Sequence, residues 1–122
     1  MIRKIATVTL WVDDFKKAIH LYRDMLGLDL LTQPGEIPHF KVGDGMLVLV
    51  KGQPRQPADA FPPEFPLVTF EVSKLDKAVE ELQAHGVVFE SGIEQRRDSR
   101  WIKLCDPAGN LIELLEIIKT GI

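Results

Sequence analysis

Residues 8–22 read Val-Thr-Leu-Trp-Val-Asp-Asp-Phe-Lys-Lys-Ala-Ile-His-Leu-Tyr, and residues 68–82 read Val-Thr-Phe-Glu-Val-Ser-Lys-Leu-Asp-Lys-Ala-Val-Glu-Glu-Leu. Laid over each other without a gap they match at Val8/Val68, Thr9/Thr69, Val12/Val72, Lys17/Lys77 and Ala18/Ala78, which is the mark of a duplicated supersecondary unit. In the first copy Ile5 to Val12 reads as a strand, with Val8, Leu10 and Val12 alternating with Thr7, Thr9 and Trp11 so that both faces are used. Asp13 or Asp14 is placed to cap a following helix. Phe15, Ile19, Tyr22 and Leu26 form its apolar stripe, and Gly27 supplies the left-handed stop.

Outward from this repeat, the first half continues with a strand over Leu28 to Thr32, a Pro-Gly loop, His39 to Val42, and Met46 to Lys51. Asp44-Gly45 between the last two runs is a hairpin signal. The second half follows the same order, with a strand over Leu67 to Val72, a helix from Lys74 to His85 stopped by Gly86, and a strand near Val87 to Glu90. Arg100 to Cys105 and Leu111 to Ile117 then form a hairpin turned by Asp106-Pro107-Ala108-Gly109-Asn110. Between the halves, residues 52–66 hold five prolines and read as a stiff extended linker.

The 122 residues are 45% hydrophobic and 27% charged, the balance of a globular chain and not a disordered one. A net charge of −3 and no basic run longer than Arg96-Arg97 argue against nucleic acid as a partner. Apolar runs such as Met46 to Val50 fall short of a membrane span, and the opening residues lack a signal-peptide block, so the expectation is a cytoplasmic protein. Cys105 is the single cysteine, which excludes an internal disulfide or a Cys-x-x-Cys site and reads as a small strand residue.

Two segments carry a resemblance: Leu21-Tyr22-Arg23-Asp24-Met25-Leu26-Gly27-Leu28, after Val12-Asp13-Asp14-Phe15, and Asp106-Pro107-Ala108-Gly109-Asn110-Leu111-Ile112-Glu113-Leu114. At this separation, over an internal repeat, the chain resembles the vicinal oxygen chelate superfamily of glyoxalases, bleomycin-resistance proteins and extradiol dioxygenases. The resemblance spans nearly the whole chain. It implies one α+β domain of two βαβββ modules, about 1–51 and 67–122, whose eight strands form an incomplete barrel around a cavity with the helices outside. It also implies a homodimer.

The metalloenzymes of that superfamily take ligands from four inward positions, which fall here on Thr7, Val48, Leu67 and Glu113. Only Glu113 keeps the ligand type, so no metal and no cofactor is expected. His20 and His85 read as surface residues, and the side faced by His39 is left open by the hairpin register.

With Thr7 and Glu113 inward, period two puts Thr9, Trp11, Thr69, Glu71, Leu111 and Leu115 on the same surface. A five-residue last loop sets Cys105 opposite Leu111, Lys103 opposite Glu113 and Trp101 opposite Leu115. Ligand-binding residues are therefore expected at Thr7, Thr9, Trp11, Val48, Leu67, Thr69, Glu71, Trp101, Lys103 and Glu113. Glu113 and Lys103 would fix a polar group while Trp11, Trp101 and Phe40 or Phe65 cover a flat face. Equally, Glu113 and Lys103 read as an ordinary cross-strand pair and the tryptophans as barrel filling.

Two functions compete. One is a metal-free protein sequestering a small planar organic compound. The other is a metal-dependent lyase, isomerase or dioxygenase with an atypical site in which Glu113 moves a proton.

Overall fold

A computed structural model of the chain describes residues 1–53 and 67–118. Most of the expected linker, residues 54–66 with Phe65 among them, lies outside the described residues. The rest falls into two compact units, one of residues 1–53 with 107–110 and one of 67–106 with 111–118.

In the first unit, strand β1 (Thr7–Val12) is followed by helix α1 (Phe15–Ile19), a π-helical turn (His20–Met25), β2 (Asp29–Leu30), β3 (His39–Val42) and β4 (Gly45–Lys51). The strands lie in the order β1-β4-β3-β2, with β1 parallel to β4 and the other pairs antiparallel. In the second unit β5 (Val68–Glu71), α2 (Leu75–Ala84), β6 (Glu94–Gln95), β7 (Ser99–Cys105) and β8 (Leu111–Ile117) repeat the plan in the order β5-β8-β7-β6. Each unit is thus a βαβββ module with an open four-stranded mixed sheet. No helix among the described residues is long and apolar enough to cross a membrane.

Each sheet has one face under its helix. In the first unit Leu47, Leu49, Phe40 and Val12 are buried on that face with Ala18, Leu21 and Tyr22 of the helix, and the Tyr22 and Phe40 rings lie 5.9 Å apart. In the second, Ile102, Leu104, Ile112 and Leu114 are buried, with Leu75 and Leu82 of α2. The repeat explains the correspondence: Val8/Val68, Val12/Val72 and Tyr22/Leu82 are helix-side positions in both copies.

The first helix departs from the expected stripe. An extra residue per turn enters at the π-helical segment, where the Leu26 amide donates to the Leu21 carbonyl at 2.8 Å. The buried set becomes Ala18, Leu21 and Tyr22, and Phe15, Ile19 and Leu26 are left half-buried at its edge. Asp14 caps the helix, accepting the Lys17 amide at 3.1 Å. The equivalent position in the second copy is Lys74, which cannot cap. There the carboxylate of Glu116 on β8 reaches the Leu75 amide at 2.7 Å, and Arg100 pairs with Asp76 in the first turn at 2.8 and 3.0 Å.

Further expectations need correction. The β3–β4 hairpin turns at Gly43-Asp44, not at Asp44-Gly45: Val42 pairs with Gly45, and Gly43 has φ +56° while Asp44 stays negative, the type II′ pattern that wants glycine first. The run from Val87 to Glu90 forms no strand. It contributes one bridge, Phe89 to Leu104, and the edge is taken by the short β6. Strand β1 begins at Thr7 instead of Ile5, and β2 is only Asp29–Leu30.

The Arg100 guanidinium holds the Asp76 carboxyl below its ordinary range, chiefly by hydrogen bonding. A carboxyl depressed in the folded state stabilises fully above its unfolded value and loses that contribution as pH falls through the folded one. Asp76→Asn is therefore expected to flatten the fall of stability below about pH 4, measured as urea midpoints from pH 7 to pH 2.5. Parallel curves for the two proteins would remove this pairing from the account.

Candidate functional site

Because paired residues share a face, register alone lists what each sheet shows on the side away from its helix. On the first sheet, β1 presents Thr7, Thr9 and Trp11, paired respectively with Met46, Val48 and Val50 of β4. On the second, Thr69 pairs with Glu113 and Glu113 with Lys103; Glu71 pairs with Leu115 and Leu115 with Trp101. The three expected pairs across the last hairpin, Cys105 with Leu111, Lys103 with Glu113 and Trp101 with Leu115, are all present. Leu67 precedes β5 and is exposed, so it stands at the mouth of this face and not within the sheet.

Trp101 is the most constrained aromatic on the second open face. Its indole nitrogen donates to Glu94 at 2.6 Å, and the Arg96 guanidinium lies 5.7 Å from the ring centroid, within cation–π range. The short β6, which the sequence did not reveal, supplies Glu94 opposite Trp101. The signal was available only as two acidic and basic residues near a tryptophan, which is too common to read.

Glu113 and Lys103 are neighbours but do not form an ion pair. The carboxylate of Glu113 instead accepts the Thr69 hydroxyl at 3.1 Å. Threonine reaches it with one torsion, whereas lysine must order four, and a half-exposed pair returns little for that entropy. The Lys103 ammonium has no ion-pair partner among the described residues.

On the first open face, Trp11 is half exposed and seated on the backbone of Gly52, where a Cβ would lie 2.6 Å from the indole Cδ1. Its carbonyl accepts the Asn110 side-chain amide at 2.9 Å. His39, whose side was open from sequence, pairs with Val48 and lies on this face beside it. Phe40 corrects the other way: it is 0% exposed on the helix side and covers nothing on the open face.

The superfamily's metal positions offer a poor donor set here. Val48 and Leu67 have no donor atom, Thr7 has one neutral hydroxyl, and Glu113 is engaged by Thr69. No group of three His, Cys, Asp or Glu side chains with metal-holding geometry occurs among the described residues. These residues do not fit a divalent metal.

A separate cleft of about 870 Å³ lies in the first unit against the π-helical turn, lined by Phe15, Ile19, Arg23, Leu30, Pro34 and Pro38 among others. None of the ten expected ligand-binding residues lines it. Asp24 on its rim is clamped by Arg23 at 2.8 Å and His20 at 2.9 Å, which hold its carboxyl down at about 2. Those three charges satisfy one another, while Lys16 and Asp29 also line the cleft.

Comparison with known proteins gives a consistent picture. The sequence profile of the Glyoxalase/Bleomycin resistance protein/Dioxygenase superfamily matches residues 4–114. The uncharacterized protein YraH of Bacillus subtilis strain 168 is 27% identical, over 94% of this chain and 99% of its own. Among solved structures, lactoylglutathione lyase from Agrobacterium tumefaciens is 29% identical, with TM-score 0.72 over 93% of this chain and 92% of its own. TnmS3, an antibiotic binding protein from Streptomyces sp. CB03234, is 28% identical, with TM-score 0.76 over 95% and 97%.

Cys105 also sits on the second open face, with its thiol 2.9 Å from a Glu90 carboxylate oxygen. Burial of the thiol, then the Glu90 hydrogen bond and charge, push its pKa up to about 12. A cysteine that stays a thiol is a poor nucleophile, even where the residue as a whole is accessible. Cys105 is expected to react with a disulfide reagent at pH 8 at least about tenfold more slowly than free cysteine, and Glu90→Gln to recover part of that rate, because burial is the larger cause and stays. An unchanged rate in the variant would show that Glu90 does not restrain the thiol.

Proposed function

The chain belongs to the Glyoxalase/Bleomycin resistance protein/Dioxygenase superfamily, and we propose that within it this protein is a metal-free binder of small, flat, polar organic molecules. The helix-free sheet faces are the binding surfaces, with Thr7, Thr9, Trp11 and Val48 on the first and Leu67, Thr69, Glu71, Trp101, Lys103 and Glu113 on the second.

The observation that carries this proposal is the register of the second sheet. It sets Thr69, Glu113 and Lys103 in one row and Trp101 in the adjacent row, so a held aromatic plane borders two opposite charges that do not neutralise each other at contact distance. A ligand lying on the indole reaches both an acceptor and a donor, the usual make-up of a specific small-molecule site. The fixed indole supports the same view: Glu94 and Arg96 hold the ring before any ligand arrives, which lowers the ordering cost of binding. The likeness to an antibiotic binding protein at 28% identity favours sequestration, and the donor-poor metal positions disfavour the lyase chemistry of the other relative. A homodimer is part of the same proposal, on the general rule that soluble homo-oligomers are most often two-fold.

Binding is read from the emission of the two tryptophans, using 2-naphthol and naphthalen-2-ylmethylammonium as probes. Glu113→Gln is expected to weaken the ammonium about tenfold or more and to leave 2-naphthol within about twofold, because a hydrogen bond to a charged group is worth about 1.5 to 3 kcal/mol. Trp101→Phe is expected to weaken the ammonium about two- to tenfold through lost stacking. Equal effects of Glu113→Gln on the two probes, or one metal ion per chain by elemental analysis that is lost in that variant, would overturn the proposal. Light scattering is expected to give twice the mass of one chain; the mass of a single chain overturns the dimer.

A further inference from the structure

Among the groups on the first open face that the proposal above does not use is the imidazole of His39. Strand β3 alternates, and its next residue, Phe40, is completely buried under the helix, so His39 leaves the sheet on the opposite side. There it pairs with Val48, which pairs in turn with Thr9 of β1, so that the three residues form one row across the sheet.

Its Nδ1 lies 2.8 Å from the Ile37 carbonyl oxygen. A carbonyl only accepts, so Nδ1 carries the proton, and in the neutral imidazole Nε2 is left as an acceptor with its lone pair available. Nε2 has no partner among the described residues.

Trp11 stands on the same face, opposite Val50 and two residues further along β4 than the Val48 that faces His39. At strand spacings near 4.8 Å and a rise near 3.3 Å per residue, the Trp11 and His39 backbones are about 12 Å apart across an apolar floor of Val48 and Val50. A two-ring aromatic spans that gap once the side chains are allowed for.

The geometry points to His39 as the hydrogen-bond acceptor that selects ligands bearing an O–H or N–H donor, with Trp11 against the far end of the same ring system. The class of molecule is a neutral two-ring aromatic with a phenolic or heterocyclic N–H group. This inference rests on the binding function proposed above, but it concerns different residues on a different sheet.

The experiment compares 2-naphthol with 2-methoxynaphthalene, which has the same rings and no donor, by ligand-observed NMR titration of the full chain. Wild-type protein is expected to hold 2-naphthol about tenfold more tightly than the ether. His39→Phe is expected to bring that ratio to about one by weakening 2-naphthol alone, and His39→Gln, whose amide oxygen can accept, to retain part of it. Glu113→Gln is expected to leave the ratio unchanged.

A long-range ¹⁵N–¹H correlation spectrum of the unliganded protein reads the tautomer directly, with Nδ1–H expected; finding Nε2–H overturns the inference whatever binds. Equal wild-type affinity for the two probes overturns it as well and leaves the charged second face standing. Failure to bind either probe overturns both proposals.

Discussion

The chemistry of both faces hangs on the parallel pairing of the first and last strands of each module, β1 with β4 and β5 with β8. Only after the helix has crossed and two further strands have been laid down can the fourth strand return beside the first, so the hydrophobic helix is fixed over one side of the sheet. The pleat does the rest. With a side-chain period of two, a single-residue slip of β8 in its pairings would turn Glu113 beneath α2 and Leu114 outward in its place. The cost of burying a carboxylate away from its partner adds to the apolar contacts in holding that register.

This constraint also explains which parts were legible in the sequence. The repeat, the helices after Asp14 and Lys74, and the last hairpin follow from periodicity and a loop of fixed length. Every cross-strand pair from Cys105/Leu111 to Trp101/Leu115 could therefore be written down beforehand. Failures occurred where a local conformation, not a pattern, decides. Whether the turn uses Gly43-Asp44 or Asp44-Gly45 depends on which glycine adopts positive φ, and that choice sets which β4 residue faces His39. Phe40 was misplaced for the same reason. The π-helical turn rotates the buried stripe of the first helix, and residue type alone carries no signal for it. Glu94 as the partner of Trp101 was invisible because β6 is two residues long and wholly polar.

The missing ion pair between Glu113 and Lys103 has a constructive side. A directly bonded pair would spend both charges on each other, and a ligand would have to break it before gaining either. With Thr69 holding the carboxylate by a neutral hydrogen bond, Glu113 is oriented, while Lys103 has no ion-pair partner among the described residues. Trp101 shows the same division between fixed and mobile parts. Its edge is tied to Glu94 and one guanidinium lies over the ring, so the large flat surface is preorganised and the flexible cation is the element left to adapt.

Duplication thus kept the pleat and changed what it displays. Of the matched repeat positions on the open side, only Thr9 and Thr69 are alike; Trp11 corresponds to Glu71 and Thr7 to Leu67. The partner strands diverge further, with Val48 opposite Thr9 where Glu113 stands opposite Thr69. By register the first face carries one imidazole in its Thr9 row and Lys41 with Asp29 in its Thr7 row, among apolar and hydroxyl side chains, and the second carries Glu71, Glu113 and a Lys103 ammonium without an ion-pair partner among the described residues. A twofold-symmetric metal cage requires both copies to contribute charged or imidazole donors from equivalent positions, and the divergence at Val48 and Leu67 removes that symmetry. What replaces it is a pair of dissimilar surfaces, and on the proposed reading that dissimilarity serves to discriminate among organic molecules.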